Sequence, residues 1–209
     1  MKILVLSDIH DHVRNLRAAL ADHNDIDAVI CLGDLCSSFT LGLIMDSFQK
    51  KPVHLVFGNN DGDTFRITAK AHQTQYDVHI HGEFAELVEY NNKLVKRIDY
   101  ENLFGDYEKR DEGGFRIAMH HFDNVAELLA KSGVYDIVFY GHNHIYNVEK
   151  KGKTFVANPG TIMGYDPAKH RDIPATYIVF DTVAKTLTSY IPELTKPFDF
   201  VKLESEITN

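Results

Sequence analysis

The sequence predicts an α/β fold in which two mixed β-sheets pack face to face with helices on the outside. Two patterns carry that expectation. The first third of the chain alternates short apolar runs with segments of helical periodicity, the β-α-β-α-β-α order of a parallel sheet with crossover helices. Further on, apolar runs come in neighbouring pairs joined by turn-forming residues, the order of hairpins. A chain of 209 residues suits a single domain of this class and is long enough to bury roughly 70% of its unfolded surface.

Residues 1–6, apolar but for Lys2, read as a parallel strand covered on both faces. Asp11 is placed to cap the next helix, in which Val13, Leu16 and Leu20 recur on one face. Residues 27–32 read as the second strand and 41–48 as a helix, and Pro52 precedes a third strand over 53–57. A helix is expected over 64–74. Residues 84–90 and 94–98 flank Asn91-Asn92 and predict a hairpin. The polar, acidic segment 99–114 predicts a loop, serving as a flap or an oligomer contact. A strand over 115–119, a helix over 124–131 and a strand over 136–140 follow. Residues 146–149 with 154–157, and 175–181 with 186–191, predict two more antiparallel pairs. One domain is expected over residues 1–191, ahead of a tail, 192–209, without legible periodicity.

Charge and composition narrow the function. The formal net charge is −8, the wrong sign for wrapping a nucleic acid, so no stable nucleic-acid binding is expected. An acidic protein still accepts an anionic substrate where metal ions supply local positive charge. There is no run of 18 apolar residues, so no membrane association is expected, and the 3–6 run is too short for a signal peptide. Cys31 and Cys36 make no disulfide framework and read as small buried hydrophobes. A cytoplasmic protein is expected.

Four segments carry the chemistry: Ser7-Asp8-Ile9-His10, Gly33-Asp34, Gly58-Asn59-Asn60-Asp61 and Gly141-His142-Asn143-His144. Each directly follows a strand-like run. Carboxylates and imidazoles gathered there repel one another or lose solvation unless a cation sits among them. Residues two apart in extended chain point the same way, so Asp8 with His10, and His142 with His144, can each reach one ion. Asp34 and Asn59 end neighbouring strands, and open α/β sheets place ligands beyond those ends. Mixed oxygen and nitrogen donors suit manganese, iron, zinc, nickel or cobalt better than calcium. A pair of such ions can hold a bridging hydroxide and polarise a phosphoryl oxygen at once. His79-x-His81 has ligand spacing but reads as a surface or edge feature, and His12, His23, His54, His72 and His170 read as structural or exposed. Lys150-Lys151-Gly152-Lys153-Thr154 reads as a solvated basic turn.

Taken in order, Asp8-x-His10, Gly33-Asp34, Gly58-Asn59-Asn60-Asp61, a lone His120 after a strand and Gly141-His142-Asn143-His144 resemble the calcineurin-like metallophosphoesterases. Asn158-Pro159-Gly160-Thr161 is similar to the Asn-Pro-Gly-Ser turn of that family's small single-domain phosphodiesterase branch. The likeness spans about residues 1–191. It implies a four-layer α-β-β-α sandwich and two divalent ions, manganese first, with nickel, iron, zinc or cobalt as alternates. One ion would be held by Asp8, His10 and His144, the other by Asn59, His120 and His142, with Asp34 bridging and Asp61 orienting a ligand or substrate group. The implied activity is hydrolysis of small phosphate esters, diesters ahead of monoesters, by in-line attack of a metal-bridging hydroxide, with His120 and Asn59 holding the geometry. The resemblance also admits a homodimer or homotetramer.

Four positions depart from the pattern. Asn60 stands where many larger members carry a catalytic histidine, and His121 where glycine usually follows the ligand histidine. Asn143 and Thr161 replace the usual threonine and serine. A neutral amide is no acid, so activated leaving groups are expected to be favoured, with His121 the candidate for part of the missing acid. The same likeness extends to the retromer scaffold subunit. The rival expectation is therefore a catalytically silent scaffold that binds protein partners, disfavoured because all seven expected ligand positions are filled.

Overall fold

The computed structural model describes residues 1–21, 23, 25–104, 114–192, 194 and 196–203. In chain order its elements are β1 (Lys2–Leu6), α1 (Val13–Ala21), β2 (Ala28–Cys31), α2 (Ser38–Phe48), β3 (Val53–Leu55), α3 (Thr64–Ala71), β4 (Val78–Ile80), β5 (Phe84–Tyr90), β6 (Lys93–Lys96), α4 (Arg97–Phe104), β7 (Arg116–His120), α5 (Asp123–Lys131), β8 (Ile137–Phe139), β9 (Asn147–Lys151), β10 (Thr154–Asn158), β11 (Tyr165–Asp166), β12 (Arg171–Asp172), β13 (Tyr177–Asp181), β14 (Thr186–Tyr190) and β15 (Asp199–Lys202). One sheet has the order β15-β14-β13-β1-β2-β3-β4, the other β6-β5-β7-β8-β10-β9, and β11 and β12 form a separate ribbon. The four strands β1 to β4 run parallel, as do β7, β8 and β10; the remaining pairings are antiparallel.

Side-chain alternation assembles the layers. Ile3, Val5, Ile30 and Phe180 leave the first sheet on one face and meet Leu87, Ile117, Met119 and Phe139 of the second in a shared core. Leu4, Leu6, Val29 and Cys31 leave on the other face and pack under Leu16 and Leu20 of α1, Leu41, Ile44 and Met45 of α2, and Ile67 of α3. On the outer face of the second sheet, Ala118 and Val138 pack on Ala126 and Ala130 of α5. Each large apolar side chain fully buried in these cores contributes about 1.5–3 kcal/mol. The product is two mixed sheets back to back with helices outside, as expected. Among the described residues no helix is long and apolar enough to cross a membrane.

Several local expectations need correction. Asp11 does not cap α1. Its carboxylate accepts from the hydroxyls of Ser37 and Thr40 at the start of α2, and the His12 ring receives the Asn15 N–H instead, at 3.4 Å. The predicted loop over 99–114 begins as helix α4, whose Tyr100 packs against Val88 of β5; residues 105–113 of that segment lie outside the described residues. His79 lies on β4, the parallel edge strand of the first sheet, a strand too short to show in the pattern. The tail contributes β15, antiparallel to β14 at the opposite edge. Alternation there is confined to four residues with exposed Phe200.

The β3–β4 edge holds an acid-sensitive group of imidazoles. His54 alternates with Val53 and Leu55, so it faces the second sheet, and only 2% of its surface is exposed. Its ring stacks on those of His79 and His81 at 4.8 and 5.3 Å. Its Nδ1 lies 3.0 Å from His81 Nε2, and its Nε2 has no hydrogen-bond partner among the described residues. Burial, then the neighbouring His79, His81 and Lys96, hold His54 well below the ordinary histidine value, and burial with Lys96 and His79 pushes His81 down to about 4. Asp77, paired with His79 at 2.8 Å, is the acidic neighbour of the group. The unfolded chain therefore binds more protons than the folded one below about pH 6.5, and stability rises with pH through that range. Acidification from pH 7.5 to 5 is expected to lower the melting temperature of the parent more than that of His54→Leu. The expected difference is about 3–6 °C, since 1 kcal/mol corresponds to about 2–4 °C at this size. Parallel melting curves across that range would show that His54 does not titrate on unfolding.

Candidate metal centre

The chemistry-bearing loops gather at one end of the sandwich, beyond the carboxyl ends of β1, β2, β3 and β8. Backbone hydrogen bonds tie them together. Ile9 and His10 donate their N–H groups to Asp34 O at 2.9 Å each, and the His142 N–H reaches the Asp8 carboxylate at 3.0 Å. The 158–161 turn braces the same end, with Thr161 Oγ1 donating to Asp8 O and the Asn158 amide to Gly141 O. Gly141 is required by closeness, because a Cβ there would sit 1.9 Å from Ser7 Oγ. Asp8, His10, Asp34, His142 and His144 all have left-handed backbones, with φ between 46° and 70°. Such conformations are uncommon for residues other than glycine and cluster at functional sites.

Two groups of ligand atoms converge: Asp8 with His10 and His144, and Asp8 with Asp34 and His121. His10 Nε2 and His144 Nε2 are 3.1 Å apart, and His144 Nε2 is 3.3 Å from the Asp8 carboxylate. Asp34 Oδ2 lies 3.5 Å from His10 Nε2 and 3.4 Å from His121 Nε2, so one carboxylate borders both groups. Asn59 Oδ1 stands 3.1 Å from His121 Nε2 and 2.9 Å from His142 Nδ1. His144 and His121 share one arrangement. Each Nδ1–H donates to a backbone carbonyl, of Tyr165 at 2.6 Å and of Leu32 at 2.7 Å, which turns Nε2 and its lone pair toward carboxylate or amide oxygens. Acceptors facing acceptors at these distances call for a cation between them, and a fixed Nδ1 donor is the support that metal-binding histidines commonly receive. The residues fit divalent metal.

The electrostatics agree with that fit. Burial alone would raise the Asp34 carboxyl, but His121 and the side-chain and backbone N–H groups of Asn60 outweigh it and hold Asp34 far below the usual carboxylate range. Burial opposes protonation of His121 and His144, yet the facing carboxylates of Asp34 and Asp8 lift both above the ordinary value. For His10 burial wins and the value falls. Cys36 Sγ sits 3.6 Å from His10 Nδ1, behind the cluster, and burial with Asp11 and Asp34 pushes its thiol up to about 12. It is a protonated neighbour of the cluster at neutral pH.

A family model for the calcineurin-like phosphoesterase superfamily domain matches residues 1–185. The chain belongs to that superfamily. A phosphodiesterase of Methanocaldococcus jannaschii, MJ0936, is 31% identical over 171 residues, covering 79% of this chain and 86% of that protein. In fold, this phosphoesterase is similar to an archaeal phosphodiesterase (TM-score 0.68, 24% identity, 91% and 99% of the two chains). It is also similar to Vacuolar Protein Sorting 29 of Cryptosporidium parvum (TM-score 0.60, 19% identity, 96% and 95%) and to the phosphoesterase Yfce of E. coli (TM-score 0.60, 16% identity, 98% and 100%).

Of the residues expected from the sequence, the phosphoesterase brings together Asp8, His10, Asp34, Asn59, His142 and His144. It does not bring His120 to them. His120 shares its strand face with Ala118, toward α5, and its Nδ1 accepts the Phe122 N–H at 3.0 Å. His121 takes the inward place, in line with Ile117 and Met119, and is fully buried. It is therefore not placed as a solvent-facing acid. The alternation of Ile117, Met119 and His121 was the signal in the sequence that selects it. Asp61 acts on the backbone: its carboxylate accepts from the N–H groups of Asp34 and Cys36 at 2.9 Å and of Gly58 at 2.8 Å. Asn60 grips both oxygens of Asp34 through its N–H and its amide.

Proposed function

We propose that this phosphoesterase is a dinuclear metal-dependent phosphodiesterase. The observation that carries the reading is the position of Asp34, one carboxylate bordering two sets of inward-facing imidazoles. Asp8, His10 and His144 would hold one ion; Asn59, His121 and His142 the other; Asp34 both. When bound, such ions supply Lewis acidity and a nucleophilic water at neutral pH. Manganese is the first ion to test, ahead of nickel, iron, zinc and cobalt, since mixed oxygen and nitrogen donors accept each of them.

The chain's own residues set the rest of the reaction. Exposed Asn59 and half-buried His142 mark the side from which a phosphate ester approaches. Leu32 O and Tyr165 O keep two imidazoles oriented, and Asp61 holds the Asp34 and Gly58 loops in register. Asn60 is engaged by Asp34 and His121 is sealed from solvent, so neither protonates a departing alkoxide. General-acid help is typically worth about 10²–10⁴-fold, and its lack favours aryl and other activated esters. The free thiols of Cys31 and Cys36 support a reducing, cytoplasmic setting. Metal analysis of the purified protein together with hydrolysis of bis(p-nitrophenyl) phosphate tests the reading. Bound metal and turnover are expected. No metal and no turnover with manganese, nickel, cobalt or zinc would sink it in favour of a silent scaffold.

A further inference from the structure

Beside the metal centre lies an apolar hollow that the proposed chemistry does not use. β13 runs antiparallel to β1 with Ile178 opposite Val5, and Tyr177 opposite Tyr190 of β14. Ile191, just past Tyr190, therefore emerges at the same end of the sandwich as Asp8 and His10. The hollow there has a volume of about 320 Å³ and is lined by His144, Tyr146, Ile173, Ile191 and Phe198 among others. No Lys, Arg, Asp or Glu side chain lines it among the described residues. His144 is thus a wall shared between the charged cluster and the apolar space.

The hollow is built rather than incidental. The Tyr146 hydroxyl donates to Asp199 Oδ2 at 2.6 Å and accepts from Ser189 Oγ at 2.9 Å. Those two bonds fix its ring, against which Phe198 stands edge-on at 4.9 Å. Phe198 nevertheless keeps 44% of its surface in solvent, and Ile145, next to His144, keeps 41%. Solvent-exposed apolar rings held in place beside a charged centre gain from covering by an apolar group. A phosphodiester brings one: its charged phosphoryl group belongs with the metal centre, and its ester arm has to lie alongside.

We propose that this hollow is the specificity subsite for an aryl-sized apolar arm of the substrate ester, stacking against Tyr146 and Phe198. The proposal rests on the phosphodiesterase reading. Methylphosphonate and phenylphosphonate share one charged head, resist hydrolysis and differ only in the arm. On the manganese-loaded protein, calorimetry is expected to show phenylphosphonate binding about tenfold more tightly, the scale for moving a few carbons out of water. Phe198→Ala and Ile173→Ser are each expected to bring that ratio toward one; both positions are partly exposed, so both variants are expected to fold.

Equal binding of the two phosphonates by the parent, or a ratio that persists in both variants, overturns the subsite. So does a changed oligomeric state in Phe198→Ala with the ratio intact, which would assign the face to a second protein. Hydrolysis of bis(p-nitrophenyl) phosphate, measured alongside, separates the two ideas. Turnover without the phenyl preference sinks the subsite alone; the preference without turnover sinks the phosphodiesterase reading and leaves the hollow as an aryl-phosphonate site.

Discussion

Asp34→Asn is expected to lower kcat/KM for diester hydrolysis by about 10³-fold or more, a barrier increase of roughly 4 kcal/mol. Asp34 is 1% exposed and its carboxylate faces His10 on one side and His121 on the other. An amide in its place removes the negative charge common to both sets of ligands and offers them an N–H donor where a lone pair is needed. It also breaks one of the two bonds from Asn60, whose amide would meet an amide. Asp8 also enters both groups of converging ligand atoms and should rank beside Asp34, whereas substitutions outside the ligand set should cost less. Metal content and hydrolysis measured on the same preparation decide the matter. Activity within tenfold of the parent with both ions still bound would refute the bridging role.

The second large effect separates two adjacent histidines. His121→Ala is expected to reduce bound manganese by one ion per chain and kcat/KM by about 10²–10³-fold, about 3–4 kcal/mol. His120→Ala should stay within about threefold, because His120 faces α5 while His121 faces Asp34 and Asn59. His121→Ala also strips a donor from the buried Leu32 carbonyl, at a stability cost of about 1–3 kcal/mol. Melting temperature should therefore be recorded with metal content at a temperature where the variant is folded. A reversed ranking, with His120→Ala losing the metal, would show that β7 is out of register by one residue.

How much was legible follows from which forces act locally. The metal-ligand segments were readable because each follows a strand-like run that is mostly apolar, and buried parallel strands leave that mark whatever their neighbours. The choice between His120 and His121 depended on one residue of phase at the end of β7, where the alternation of Ile117 and Met119 points to His121 while the order of motifs points to His120. Strands β4 and β15 are edge strands of three and four residues, held by partners far away in sequence rather than by their own pattern. Helix α4 is short and carries no apolar stripe of its own, and its packing through Tyr100 is set by the sheet beneath it. Asp11 had the right type and position for a cap, but the hydroxyls of Ser37 and Thr40 compete for the same oxygen. The means by which Asp61 would orient a ligand lay beyond reading, since it consists of bonds to backbone from three separate positions.

The left-handed backbones at Asp8, His10, Asp34, His142 and His144 put the loops under two opposed selective demands. Each conformation costs on the order of 1–2 kcal/mol for a residue with a side chain, and glycine would relieve it. Glycine, however, brings no oxygen or nitrogen donor. A descendant relieved of chemistry could gain stability by drifting to glycine or asparagine at these five positions, without moving a strand. Aspartate or histidine kept on such backbones at ligand positions would then be a conformational record of use. Relatives of the same fold can be sorted by it, those that still tolerate the strain from those that have let it go.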